Sequence, residues 1–233
     1  MLSQIRKINN DLFNWYSSLN NKDKYTNPYL IVPEDSYVNS KIKVLVLGKE
    51  TNGWGEAENC KTCKELEDLY IEKIIGKEIG NNYPFWNFYF NYLLPVIPSN
   101  VGVCASNISL LGYRYGSTGY NIKLAKELGV FFERYLNALK PDMVICLAGF
   151  GTKTRREYNY LEIMERTWGT YNQDNNLIIS SNNEIKWPLR KLCFTNSNIC
   201  IYGTRHPEMT SKEWKESISY SIKKKIDTKL HEK

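Results

Sequence analysis

Hydrophobic positions along this chain fall into two periods that alternate. Ile42, Val44, Leu45, Val46 and Leu47 form an apolar, β-branched run that stops at Gly48, and VGVCASNISLLG, PDMVICLAG and NICIYG repeat the pattern further on. Continuous apolar runs of this length are how strands covered on both faces of a parallel sheet read. Between them the period lengthens. Ile5, Ile8, Leu12, Phe13, Trp15, Tyr16 and Leu19 predict an amphipathic helix over 3–20, and Leu66, Leu69, Tyr70, Ile74 and Ile75 a second one. PFWNFYFNYLLPVIP opens with Pro84 at a favourable first-turn position. IKLAKELGVFFERYLNALK is the clearest helix, 154–166 a charged one, and 211–229 the closing one, with Trp214, Ile218, Ile222 and Ile226 four apart. NNLIISS and LRKLCF read as short strands, with antiparallel edge pairing open to them.

Strand-to-helix units in series predict a three-layer α/β/α sandwich around a mainly parallel sheet of about four strands. No repeat or linker divides the chain, so one domain is expected over 1–233, with its core at about 40–225.

Composition narrows the classes. Hydrophobic residues make up 42% and charged residues 24% of the 233, the balance of a globular protein rather than a disordered tail. The apolar runs are strand-sized, well short of the roughly 20 residues a spanning helix needs, so no membrane association is expected. The first residues carry Arg6, Lys7 and Asp11 where a secretory signal needs an apolar core, which predicts a cytoplasmic protein. The net charge of +6 permits a polyanionic partner without requiring one, since Lys223, Lys224, Lys225 and Lys229 read as a solvated helix face. Of six cysteines only Cys60 and Cys63 are close together; the rest are scattered, so no metal site is expected, and the CKTC pair does not sit at the start of a helix directly after the first strand, as a redox motif would.

The polar residues that close the strands carry the candidate chemistry. In open α/β sheets ligands bind beyond the carboxyl ends of the strands. Gly48, Lys49 and Glu50 follow the first run, Asn107 closes the second, and His206 follows the last. There are only two histidines, and His231 sits on the charged tail, so a histidine-dependent mechanism must use His206. An asparagine amide offers a donor and an acceptor side by side, which suits the edge of a nucleobase.

In this order the residues resemble the uracil-DNA glycosylase superfamily, whose members carry a motif of the type G-[QEIM]-[DAN]-P after the first core strand, an asparagine at the end of the second and His-Pro-Ser after the last. Gly48-Lys49-Glu50-Thr51, Ser106-Asn107 and His206-Pro207-Glu208 occupy those places, and the likeness spans about 40–225. The resemblance implies that Glu50 orients water and stabilises a positive sugar, that Asn107 and Gly48 bind the base, and that His206 supports the departing base. It implies an aromatic stacking platform among Phe85, Trp86 and Phe88, with Phe88 preferred. Arg114, Met209 and Lys212 would meet DNA, Met209 as a wedge. The implied activity is metal-independent hydrolysis of the N-glycosidic bond of a flipped uracil or related base, by a monomer without cofactor. Thr51 replaces the motif proline and Glu208 the phosphate-contacting serine. A carboxylate repels phosphate. Two alternatives therefore stand beside the glycosylase: a catalytically inactive nucleic-acid or nucleotide-binding protein of the same fold, and a hydrolase of small nucleoside-like molecules.

Overall fold

In a computed structural model the residues described are 1–50, 53–79, 83–114, 122–148, 155–179, 188–208 and 210–232, with Ile122, 155–159, Glu162 and 173–177 described in backbone only. Among them six strands form one sheet: β1 (Ile42–Glu50), β2 (Val101–Ser109), β3 (Met143–Cys146), β4 (Tyr171–Ile178), β5 (Arg190–Phe194) and β6 (Cys200–Gly203). Their order is β2-β1-β3-β6-β5-β4. The first four run parallel, while β5 lies antiparallel to both β6 and β4. The four expected strands are thus the parallel centre, and LRKLCF and the stretch leading into NNLIISS extend the sheet at one edge; residues 180 and 181 of that run lie outside the described residues.

Side chains on a strand alternate between faces. Val44, Leu45, Val46 and Leu47 are all at most 1% exposed, so both faces of the sheet are covered. The helices are α1 (Leu2–Ser17), α2 (Asp35–Asn39), α3 (Cys63–Tyr70), α4 (Pro84–Phe88), α5 (Ile122–Leu139), α6 (Arg155–Trp168) and α7 (Lys212–Glu232). Two of the expected helices are shorter in their regular part. After Tyr70 and again after Phe88 the chain widens into a π-helical turn, Ile71–Ile75 and Tyr89–Leu93, and the second of these tightens into a 3-10 turn at Leu94–Val96 before Pro98. Pro95 cannot supply an amide hydrogen, which ends regular helix there.

Helix α5 returns the chain from β2 to β3 across β1, so β1 sits between the strands on either side of the first crossover. Helix α1 docks on α5 through Asn9, which is fully buried. Its amide nitrogen donates to the carbonyl of Ile31 (3.1 Å) and to Glu67 Oε1 (2.6 Å), and its amide oxygen accepts the Tyr135 hydroxyl. One asparagine thereby ties α1 to the segment before α2, to α3 and to α5. On β2, the outermost strand at the other edge, Tyr70 donates its hydroxyl to the Ala105 carbonyl (2.9 Å), and the backbone of Tyr29 donates to Leu110 (2.8 Å).

No helix among the described residues is long and apolar enough to cross a membrane.

Candidate functional site

The register of the sheet decides which residues meet at its carboxyl edge. Gly48 of β1 lies beside Asn107 of β2, and Glu50 beside Ser109, so β1 runs two residues past the glycine at which its apolar run stops. Beyond β3 the Leu147 amide donates to Leu47 (2.8 Å), and beyond β6 the Thr204 amide donates to Cys146 (3.0 Å). The four parallel strands therefore end at one level. His206 follows Thr204 by two residues, on the same side as Glu50 and Asn107.

These ends open into a cleft of about 640 Å³. Gly48, Glu50, Asn107 and His206 all line it, with Phe85 and Trp86 from α4. A Cβ built on Gly48 would lie 2.4 Å from Asn107 Oδ1 and 3.2 Å from the Phe85 ring. Only a residue without a side chain lets the amide and the ring close over the β1 backbone here. Asn107 is 7% exposed, and among the described residues no protein group hydrogen-bonds its side-chain amide. A buried amide in that state reserves a donor and an acceptor for something else.

His206 is held neutral. Burial, followed by the positive charges of Lys49 and Arg205, lowers its pKa from the ordinary 6.5 to about 4. Its Nδ1 accepts the backbone N–H of Glu208 (3.3 Å), which leaves the single ring proton on Nε2. The Glu208 carboxylate, 3.9 Å from Nδ1 and 64% exposed, is too solvated to restore the charge. The imidazole is thus an uncharged donor through Nε2.

The aromatic wall differs from the expectation. Phe88 is fully buried and turned away from the cleft, its ring 5.9 Å from Trp214 of α7 and 6.3 Å from Tyr92. Phe85, a turn earlier, faces the strand ends, 4.8 Å edge-on from Trp86 and stacked at 6.2 Å on Tyr89. Two residues outside the expected set also line the cleft, Tyr29 and Trp54, with ring centroids 4.8 Å apart. The Tyr29 hydroxyl and the Trp54 indole nitrogen are buried and, among the described residues, have no hydrogen-bond partner. Each such orphan donor costs about 1–3 kcal/mol. Burial also raises the Tyr29 pKa well above 10, so the phenol keeps its proton.

Of the expected DNA contacts, Arg114 and Lys212 are not among the residues that line the cleft. Arg114 donates from Nε to the Tyr25 carbonyl (3.1 Å) and pairs with Glu56 at 2.7 Å. Lys212 is exposed in the first turn of α7, 3.6 Å from Glu216. Met209 and Thr51 lie outside the described residues. The charge lining the cleft is acidic: Glu50, Glu58, Glu78 and Glu208 against Lys49 and Lys73, with Lys73 itself 2.7 Å from Glu72.

The CKTC pair lies at the start of α3, which does not follow β1 directly. Cys63 begins α3 behind a capping box of Thr62 and Glu65. Burial nevertheless pushes the Cys63 thiol up to about 11, with Glu67 adding to it, and raises Cys60 as well, so neither is a thiolate at neutral pH. Among the described residues no cluster of three His, Cys, Asp or Glu side chains could hold a metal ion.

Compared with protein-family models and with curated proteins, the chain matches none.

Proposed function

We propose that this protein hydrolyses the N-glycosidic bond of a base held in the Gly48–Asn107–His206 cleft, the base being a flipped uracil or related damaged base in DNA, as in a uracil-DNA glycosylase-like enzyme. The observation that carries the reading is the convergence of a carboxylate, an unpartnered amide and a neutral imidazole donor on one cleft at the carboxyl ends of parallel strands.

Each group has a part in that chemistry. The base slides over the Phe85 ring, and the Asn107 amide meets its donor–acceptor edge. As the C1′–N bond breaks, its electron pair moves onto the base, whose oxygen takes the hydrogen bond from His206 Nε2–H. A neutral donor suits this step because it stabilises the developing anion without surrendering a charge of its own. The sugar becomes oxocarbenium-like. Glu50 offsets its positive charge, and water adds at C1′ with its proton passing to the carboxylate or to solvent.

A second reading, hydrolysis of small nucleoside-like molecules, is favoured by the acidic lining of the cleft, which disfavours phosphate at its mouth. One experiment covers both. Uracil-containing single- and double-stranded oligonucleotides and 2′-deoxyuridine are incubated with wild type, Glu50→Gln and His206→Ala; alkali cleavage reports abasic sites, and chromatography reports released base. The proposal expects abasic sites from wild type and a drop of about 10²–10³-fold in each variant. Base released only from the free nucleoside selects the second reading. No release from any substrate refutes both.

A further inference from the structure

We infer that Cys193 of β5 and Cys200 of β6 form a reversible dithiol–disulfide site in the antiparallel part of the sheet, oxidised by a low-molecular-weight disulfide through thiol–disulfide exchange. The site is separate from the cleft and independent of the glycosidic reading.

Strand register brings the two cysteines face to face. Antiparallel pairing matches Arg190 with Gly203, Lys191 with Tyr202 and Leu192 with Ile201, so the next position along the ladder sets Cys193 against Cys200. Both belong to the strands themselves, β5 ending at Phe194 and β6 beginning at Cys200. Opposed residues of an antiparallel pair have Cα atoms about 4.5–5.5 Å apart, inside the roughly 4.4–6.8 Å that a disulfide spans. Their side chains share a face. Residues two apart on a strand point the same way, which groups Cys193 with Lys191 and Cys200 with Tyr202, and the Tyr202 hydroxyl is hydrogen-bonded with the Cys200 thiol. Both cysteines are thiols here and both are partly exposed, so a small molecule can reach them.

The exchange balances without any further reactant. One thiolate of the pair attacks a sulfur of the incoming disulfide, whose other half leaves as a thiolate. The second cysteine then attacks the protein sulfur of that mixed disulfide and expels the remaining half. Two protein thiols are oxidised, one small disulfide is reduced to two thiols, and the protons of the cysteines pass to the leaving thiolates. Because β6 runs on through Thr204 to His206, the link ties the histidine-bearing strand to β5. Partly exposed disulfides are the readily reduced ones, so the site is reversible.

The folded full-length chain is equilibrated in a series of mixtures of oxidised and reduced glutathione, quenched with acid, alkylated with N-ethylmaleimide, digested and mapped by mass spectrometry, as wild type, Cys193→Ser and Cys60→Ser. In wild type a peptide linked through Cys193 and Cys200 is expected to grow with the oxidised share and to vanish on treatment with dithiothreitol. Cys60→Ser is expected to form the same link to the same extent. Cys193→Ser is expected to lose it completely and to retain Cys200 as a glutathione adduct, the mixed disulfide with no second thiol to resolve it. Three results overturn the site: no such link in folded wild type at any ratio, glutathione adducts on both cysteines without a link between them, or a link that forms only in urea.

Discussion

Among the described residues two asparagines lie deep, Asn9 at 0% and Asn107 at 7% exposure, and the bonds around them are opposite. Asn9 has both amide hydrogens donated and its oxygen filled, joining three separated stretches of chain. The Asn107 amide has no protein partner among the described residues and faces the cleft beside a glycine that makes room for it. A satisfied buried amide holds a fold together, whereas one left open to a cavity is free to meet a ligand. Beside Asn107 on the cleft stands a histidine kept uncharged.

The sharpest way to break this contrast is to remove each amide in turn. Asn9→Ala strands the Tyr135 hydroxyl, the Ile31 carbonyl and the Glu67 carboxylate, and is expected to cost about 3–4 kcal/mol in urea-induced unfolding. An effect below about 1 kcal/mol would mean that the α1 junction is held by packing alone.

Next in size is a pH signature of the cleft. The unfolded imidazole of His206 takes its proton near 6.5 and the folded one not until about 4, so between those values the unfolded chain binds more protons. This contribution to stability is intact above pH 6.5 and is lost as pH falls toward 4, by up to about 3 kcal/mol. Denaturation midpoints of wild type and His206→Gln, compared from pH 7 to pH 3.5, should diverge in that window; parallel curves would place the imidazole in a more solvated setting.

Asn107→Ala reverses the behaviour of Asn9. Base binding or hydrolysis is expected to fall about 100-fold, equivalent to about 2.7 kcal/mol, while stability moves by less than about 1 kcal/mol. Should stability fall as far as in Asn9→Ala, the two residues belong to one class after all. The mildest change is Gly48→Ala. Its methyl group must displace the Asn107 amide and the Phe85 ring, at about 1–2 kcal/mol of stability, with ligand affinity reduced through the shifted amide; unaltered affinity would show that the close approach at Gly48 serves packing only.

The parallel centre of the sheet was legible because β1, β2, β3 and β6 are apolar runs and α5 and α7 carry their apolar residues at unbroken helical spacing. The strand ends that bring Glu50, Asn107 and His206 together were legible too, since a polar residue closing a buried strand has few places to go. Other features depend on distant partners. Phe85 and Phe88 are equivalent by composition, and what turns Phe88 inward is Trp214, on a helix more than a hundred residues later. Tyr29 lies in a turn-rich stretch ahead of β1, where periodicity carries no signal, and its place in the cleft follows from backbone pairing with the end of β2. NNLIISS and LRKLCF are legible as short strands open to antiparallel edge pairing, but only the sheet order makes β4 the edge and places β5 inside, antiparallel to both β6 and β4.

The covering of β2 has a consequence for how copies of this protein behave in a crowded solution. An outer strand nine residues long is a template onto which another chain could zip, the first step of fibril growth. Here the Tyr70 hydroxyl occupies a carbonyl of that strand, the backbone at Tyr29 occupies another just past its end, and the strand's residues are almost all buried. The opposite border, β4, runs YNQDNNLI, and the charge of Asp174 in that sequence works against a neutral zipper. One border of the sheet is covered by neighbouring chain and the other carries a charge, so the protein can hold a buried sheet without recruiting its neighbours into it.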